Sequence, residues 1–326
     1  MRATVFNAAQ LFVAAFVALL IAISLDLYHP FWAAMPVWVV SQAYREDLLI
    51  RGVLRVVGTI AGAALALAVL HYSPSPYVLV PALALIMGLS TAAAFWIGTI
   101  YSYGAVMIGI TSVIIIVPSL IGGAGTIELA IDRFWCTLIG VICVTVVTFY
   151  FTPRRTEPHP ERITEGRLKL ASMRGVVSFA VSFAGMAVLT AYPHFAVMSA
   201  VLSLGIYSVI LGAAADPTPI IRFMGPGSTL GILTSIVYRM ILDWGIPSEA
   251  LHLTLIGVFV AAGAFLRANP RTAPFGLNCN LCFLLSGEVG GEVHTLQHVI
   301  IGGAILAIAA YSVSKLYHFM PRYQTS

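Results

Sequence analysis

Apolar runs long enough to cross the hydrocarbon core of a bilayer, ~30 Å thick, recur along the whole of this chain. Only 9% of its residues are charged, whereas a soluble domain carries about 25%, so the chain cannot build an aqueous surface. The runs are continuous and do not alternate between apolar and polar residues, which favours helices over a membrane barrel. The sequence therefore predicts an all-α polytopic membrane protein.

The positive charges give the orientation of about twelve predicted transmembrane helices. If the N-terminus is inside, all 17 lysines and arginines except Arg133 and Arg239 fall on the cytoplasmic side, where such residues accumulate. Both termini are therefore predicted to be cytoplasmic. The predicted spans are 6–25, 30–44, 52–71, 77–95, 98–118, 129–152, 173–192, 195–213, 226–243, 250–266, 273–288 and 298–318.

The longest polar stretch, TPRRTEPHPERITEGRLKLASM, separates the first six spans from the last six. It divides the chain into a first transmembrane half at 1–152, a cytoplasmic linker at 153–172 and a second transmembrane half at 173–326. Two short patterns recur at matching places, YHPF with YPHF and GTIAG with GSTLG. Because each half has an even number of spans, the halves are predicted to be parallel repeats related by an axis along the membrane normal.

The segment YHPFWAAMPVWVVSQ at 28–42 is apolar but short, and Pro36 stands in its middle. Proline removes a backbone donor and bends or breaks a helix, and free backbone at membrane depth needs protein or a water-filled cavity beside it. A short, proline-interrupted segment therefore points to a transporter binding site. Trp32 and Trp38 could stack on an aromatic ring there, or Trp32 could anchor the segment at the outer headgroups.

Ionisable residues at the outer ends of spans are candidates for proton coupling or charge relay, because charges inside membranes are mostly functional. Asp26 and His29 would share a face if the first helix continues, and could then pass a proton. A plain turn capped by Asp26 is the equal alternative. Asp132 and Arg133 stand at the outer end of the sixth span, where the alternative is that they extend to the membrane surface.

Three further charged residues belong to the same group of candidates. Arg239 and Asp243 are four positions apart on the ninth span, where they could pair or extend to the surface. Asp216 is predicted at the cytoplasmic face, where the alternative is that it is a solvated loop charge. The same alternative holds for Arg55, which is a candidate for the substrate cavity and lies at the same face.

A polar cluster precedes the last span, and contains Glu288, Glu292, His294 and His298. The two histidines have the spacing of metal ligands on a helix, but a polar outer loop is the preferred explanation of the cluster. We therefore predict no metal site and no cofactor.

Several short motifs in both halves resemble the fusaric acid resistance and aromatic acid exporter family. In the first half they are PFWA at 30–33, WVVSQ at 38–42 and RVVGTIAG at 55–62. In the second half they are ADP at 215–217, RFMG at 222–225, NPR at 269–271 and PFG at 274–276.

The resemblance implies efflux of aromatic carboxylic acids from the bacterial cell across the inner membrane, driven by antiport of protons. It implies a small organic acid and the lipid bilayer as partners, and in some members a periplasmic adaptor subunit; a second copy of the chain is a further candidate. An aromatic acid needs a flat surface for its ring and a donor or cation for its carboxylate. Trp32 and Trp38 offer the surface, and the backbone freed at Pro36 offers donors, with Gln42 or Arg55 as holders of the carboxylate.

Other classes of function are less well supported by the sequence. An intramembrane enzyme would need a catalytic grouping or cofactor motif at bilayer depth, and the sequence has no such motif. The small net charge of +4 gives no reason to expect a nucleic-acid partner. The alternatives to an exporter are an ion or metal permease, based on the outer histidines, and a non-transporting membrane assembly component.

Overall fold

The computed structural model describes residues 2–122, 126–156, 167–245, 248–291 and 295–320. Every regular element in this part of the chain is an α-helix, as predicted. In chain order the helices are α1 (Arg2–Ser24), α2 (Phe31–Val40), α3 (Arg45–Tyr72), α4 (Pro76–Ile97), α5 (Ser102–Ser119), α6 (Thr126–Thr148), α7 (Arg167–Ala191), α8 (Phe195–Ala213), α9 (Thr218–Asp243), α10 (Glu249–Ala268), α11 (Ala273–Gly287) and α12 (Leu296–His318).

Ten of these helices, within the described part of the chain, are long and apolar enough to cross a membrane. The polytopic, all-helical class is therefore confirmed. The other two are α2, with 10 residues, and α11, with 15 residues. At 1.5 Å per residue they extend about 15 Å and 22 Å, less than the hydrocarbon core. The predicted spans 30–44 and 273–288 thus contain helices too short to cross alone, and these two helices contact each other.

Pro36 lies inside α2 and is buried against α6. Its missing N–H leaves the carbonyl of Trp32 without the usual intrahelical donor. On the facing helix, a Cβ built on Gly140 would lie 2.2 Å from the carbonyl oxygen of Ala33 and 2.7 Å from Cγ of Pro36. Only glycine fits at this distance, so the proline and the glycine together set how closely α2 approaches α6.

The chain divides into two compact units. The first contains Met1–Leu49, Asp132–Arg154 and Arg222–Ala307, and the second contains Ile50–Ile131, Arg155–Ile221 and Ile308–Ser326. In the first unit α1 and α11 each pack on α2 and α10. In the second unit α7 and α5 each pack on α8 and α4. Each unit therefore contains helices from both halves of the chain, and the boundaries at 152 and 173 stay a prediction.

Glycines bring the third and fifth helices of each half of the chain close together, α3 with α5 and α9 with α11. A Cβ built on Gly58 of α3 would lie 2.7 Å from the carbonyl oxygen of Gly104 in α5. A Cβ built on Gly227 of α9 would lie 2.7 Å from the carbonyl oxygen of Phe275 in α11. The same close approach occurs one turn later in both units, at Gly62 and Gly231. These pairings agree with two related halves, and the parallel arrangement of the repeats stays a prediction.

Arginines donate to carbonyl oxygens at the C-terminal ends of three even-numbered helices. Arg167 donates from Nε to the Phe95 oxygen at 2.8 Å, in the last turn of α4. Arg174 donates from Nη1 to the Gly212 oxygen at 3.3 Å, at the end of α8. Arg267 donates from Nε to the Trp38 oxygen at 3.1 Å, near the end of α2. A helix C-terminus carries partial negative charge and unsatisfied carbonyls, so a guanidinium there stabilises the helix end.

Candidate functional site

The turn between α1 and α2 sets the position of the first candidate residues. The N–H of Leu27 donates to the Ala22 oxygen at 3.1 Å, and that of Asp26 to the Ile23 oxygen at 3.0 Å. This pair of bonds, with Asp26 in the left-handed conformation at φ 51°, is a Schellman ending of α1. Asp26 is therefore an exposed turn residue and does not share a helix face with His29, so the turn alternative is the one observed.

His29 contacts Asp132 of α6, a pairing that joins two separately predicted candidates. Its imidazole Nδ1 lies 3.0 Å from Oδ2 of the carboxylate, and its backbone N–H donates to Oδ1 at 3.4 Å. The His29 side chain is 42% exposed and that of Asp132 is 2% exposed. One turn along α6, the Cys136 thiol donates to the His29 carbonyl oxygen at 3.5 Å. A buried carboxylate thus faces a partly exposed ring.

Arg133, next to Asp132 in the sequence, is buried and lies over a tryptophan ring. Its guanidinium carbon is 3.8 Å from the centroid of the Trp32 ring, a cation–π geometry. Trp32 is half-buried and its ring is also tilted against that of Phe31, with centroids 5.2 Å apart. The guanidinium of Arg133 is therefore enclosed within the first unit.

Trp38 is 1% exposed and lies in the apolar core of the first unit, together with Leu48, Val260 and Leu284. Its indole Nε1 has no hydrogen-bond partner among the described residues. Arg267, in the last turn of α10, donates from Nε to the Trp38 carbonyl oxygen at 3.1 Å. The Arg267 guanidinium therefore lies at the backbone carbonyl of Trp38, near the end of α2.

Gln42 and Arg55 were the predicted holders of a carboxylate, and the structure shows other contacts for both. Gln42 lies beyond the end of α2, and its Nε2 donates to the Ser41 oxygen at 2.7 Å and to the Val39 oxygen at 3.4 Å. Arg55 belongs to the second unit, is buried, and donates from Nη1 to the Tyr103 hydroxyl.

The remaining predicted charges lie at helix ends. Asp216 is exposed, and its Oδ1 accepts from the Thr218 N–H at 3.0 Å and from the Thr218 hydroxyl at 2.6 Å, which caps α9. At the other end of α9, Arg239 is buried whereas Asp243 is exposed.

A hydrogen bond between a buried tyrosine and a partly buried histidine was not predicted from the sequence. The Tyr238 hydroxyl lies 2.9 Å from Nε2 of His252, joining α9 to α10. The Tyr238 ring also meets Phe259 and Phe283 edge-on, and those two rings stack with centroids 5.2 Å apart. The sequence feature that could have indicated this pair is the adjacent Arg239, because an arginine late in an apolar helix requires polar neighbours.

Only part of the outer Glu and His cluster can be located. Glu292 and His294 lie outside the described residues. Glu288 ends α11 in the left-handed conformation, and the Thr295 hydroxyl lies 2.7 Å from Nδ1 of His298. Among the described residues, no three His, Cys, Asp or Glu side chains are grouped so that they could hold a metal ion.

Comparison with known proteins gives one family and two relatives. The profile of the Fusaric acid resistance protein family matches residues 4–177. A p-hydroxybenzoic acid efflux pump subunit AaeB from Edwardsiella ictaluri (strain 93-146) is 25% identical over 171 residues, 49% of this chain and 26% of that protein. The subunit of the same name from Pantoea ananatis (strain LMG 20103) is 28% identical over 149 residues, 42% of this chain and 23% of that protein. The matches thus span about a quarter of each relative. No solved structure matches this chain.

Proposed function

We propose that this chain, which belongs to the Fusaric acid resistance protein family, exports small aromatic acids across the bacterial inner membrane. The observation that carries the proposal is the family match over residues 4–177, together with two relatives named as p-hydroxybenzoic acid efflux pump subunits. The multi-pass helical fold is consistent with it, because ten helices among the described residues are long and apolar enough to cross a bilayer. The expected substrates are fusaric acid or hydroxybenzoate-like acids.

Efflux is coupled to protons in this proposal, and His29 with Asp132 is the coupling pair. The pair is chosen because the partly exposed imidazole of His29 lies 3.0 Å from the buried carboxylate of Asp132, close enough for a proton to pass between them. Inward movement of a proton and outward movement of an organic anion both carry positive charge inward. An inside-negative membrane potential therefore drives both steps.

The organic acid and the bilayer are the first partners in this proposal. The relatives are named subunits of a pump, which supports a partner subunit such as a periplasmic adaptor for this chain as well. A homo-oligomer is the other assembly to test. Purification in detergent, followed by measurement of the mass of the particle, distinguishes a single chain from either assembly.

The proposed function is tested by loading cells with labelled p-hydroxybenzoate and following its loss, with and without the protein. We expect faster loss when the protein is present, abolished by a protonophore, and no change for hexanoate, which lacks a ring. A metal permease would instead change the uptake of labelled zinc. If zinc uptake changes and loss of p-hydroxybenzoate does not, the proposal is wrong.

A further inference from the structure

We propose that the second unit binds an anionic phospholipid in a groove beside the first turns of α7. The Lys169 ammonium binds the lipid phosphate, and an acyl chain lies along Met173 and Val176. This site goes beyond the proposed export of organic acids, and its test does not depend on transport.

The groove lies between α7 and the chain that follows α12. Six residues of α7 between Leu168 and Val177 line it, together with Met320. It is open at the surface and has a volume of 690 Å³, within the range of about 300–1,000 Å³ that is usual for ligand sites. The Tyr317 hydroxyl lies 3.3 Å from the Ser178 hydroxyl of α7, so the end of α12 is held where Met320 can complete the wall.

The lining is polar at one end and apolar beyond it. Lys169 is exposed, and Met173 and Val176 follow it by four and seven positions, so the three side chains share one face of α7. Met173 is 39% exposed and Val176 is 64% exposed. Seven residues of helix extend about 10 Å, so a cation is followed by an apolar surface of that length. A phospholipid has the same order, with a charged phosphate followed by acyl chains.

The position of α7 in the chain favours a lipid over a water-soluble partner. The helix is long and apolar enough to cross a membrane, and it begins directly after the predicted cytoplasmic linker. Lys169, in its first turn, is therefore expected at the inner headgroups. Anionic lipids of the cytoplasmic leaflet attract lysines at this depth, and basic pockets between membrane helices on this side bind their head groups. The apolar residues one and two turns further along then lie among acyl chains.

The test measures lipid binding to the full chain, purified in detergent, by native mass spectrometry. The two probes are dioleoyl phosphatidylglycerol, which is anionic, and dioleoyl phosphatidylcholine, which has the same acyl chains and no net charge. Lys169→Gln removes the cation, and Lys169→Arg keeps it. Lys315→Gln is the matched control, because Lys315 is also exposed on a helix of the second unit but does not line the groove. Val176→Phe fills the groove, and Val188→Phe is its control at an exposed valine elsewhere on α7.

We expect the wild type to bind phosphatidylglycerol more tightly than phosphatidylcholine. Lys169→Gln should weaken phosphatidylglycerol binding about fivefold, the usual contribution of one lysine near an anionic membrane surface. Its binding of phosphatidylcholine should not change, and Lys169→Arg should keep the wild-type preference. Val176→Phe should weaken binding of both lipids, whereas the two controls should bind like the wild type.

Equal binding of the two lipids by the wild type overturns the site, as does equal loss in Lys169→Gln and Lys315→Gln. The same spectra give the mass of the particle. A dimer that Val176→Phe dissociates, with lipid binding unchanged, would assign the groove to a second copy of the chain and also overturn the lipid site. The efflux assay measures export separately, so either failure leaves the proposed function unaffected.

Discussion

The imidazole Nδ1 of His29 lies 3.0 Å from the carboxylate Oδ2 of Asp132, although 103 positions separate the two residues in the chain. The contact joins the turn before α2 to the second turn of α6. It places a buried carboxylate beside a partly exposed imidazole, and this is the pair that we propose for proton coupling. This pair is therefore the first target for mutation.

Asp132→Asn and His29→Ala should each abolish proton-driven loss of p-hydroxybenzoate without lowering the amount of protein in the membrane. Asparagine keeps the shape of the carboxylate but cannot balance an imidazolium, and alanine removes the base. Asp26→Asn is the matched control, because Asp26 is exposed and asparagine also tolerates its left-handed backbone. If both variants transport like the wild type, the coupling residue lies elsewhere, and Glu288 is the next candidate.

Gly140→Ala should destabilise the protein by about 1–3 kcal/mol, the usual cost of overpacking a filled contact. The added methyl group would meet the Ala33 oxygen and the Pro36 ring, both on the short helix α2. A lower midpoint of thermal unfolding in detergent is the expected result. Gly257→Ala is the control, since its methyl group would meet Phe16 at an ordinary 3.6 Å. Equal midpoints for the two variants would contradict the tight packing of α2 on α6.

The Arg133 guanidinium and the Trp32 ring should be coupled by about 1–2 kcal/mol, as expected for a desolvated cation–π pair. The measurement is a double-mutant cycle with Arg133→Gln and Trp32→Leu, read as unfolding free energy. Trp135→Leu replaces Trp32→Leu in the control cycle, because Trp135 is exposed on the same helix as Arg133. A coupling energy near zero in the first cycle would mean that Trp32 only anchors the segment.

Both termini should lie in the cytoplasm. An enzyme that is active only in the periplasm should be inactive when it is fused after Ser326, and active when it is inserted after Gly122, in the loop that follows α5. The reason is the location of the lysines and arginines, which accumulate on the inner side of bacterial membranes. Activity after Ser326 would show that the chain crosses the membrane an odd number of times and not twelve times, as predicted.

The class of the fold and the existence of the helices could be predicted from the sequence, because lipid demands long apolar segments with satisfied backbones. The length of α2 was harder to predict. Its apolar run continues to Val40 and beyond Pro36 without a charge, so the residues alone favoured a longer span. The helix begins only at Phe31, after the turn at Asp26, and it stops before Gln42.

The contacts of the candidate site depend on packing between distant segments, which a single sequence does not specify. Asp132 and His29 were both suspected because buried charges are rare in membranes, but their pairing could not be deduced from spacing. Arg267 was counted only as a cytoplasmic charge, since its contact with Trp38 joins residues 229 positions apart. Local patterns predicted which residues to suspect, and tertiary packing decided which of them meet.

The composition of the first unit has a consequence for biosynthesis. Its helices α1 and α2 pack on α10 and α11, which are translated near the end of the chain. At about 5–20 residues per second, the ribosome needs on the order of ten seconds or more to reach them after α1 has emerged. During that time Trp38 and its neighbours in α2 enter the bilayer before residues of α10 and α11 can cover them. Nascent chains that stall before α10 therefore leave this face of α2 without its packing partners, and should be recognised and degraded by membrane quality control.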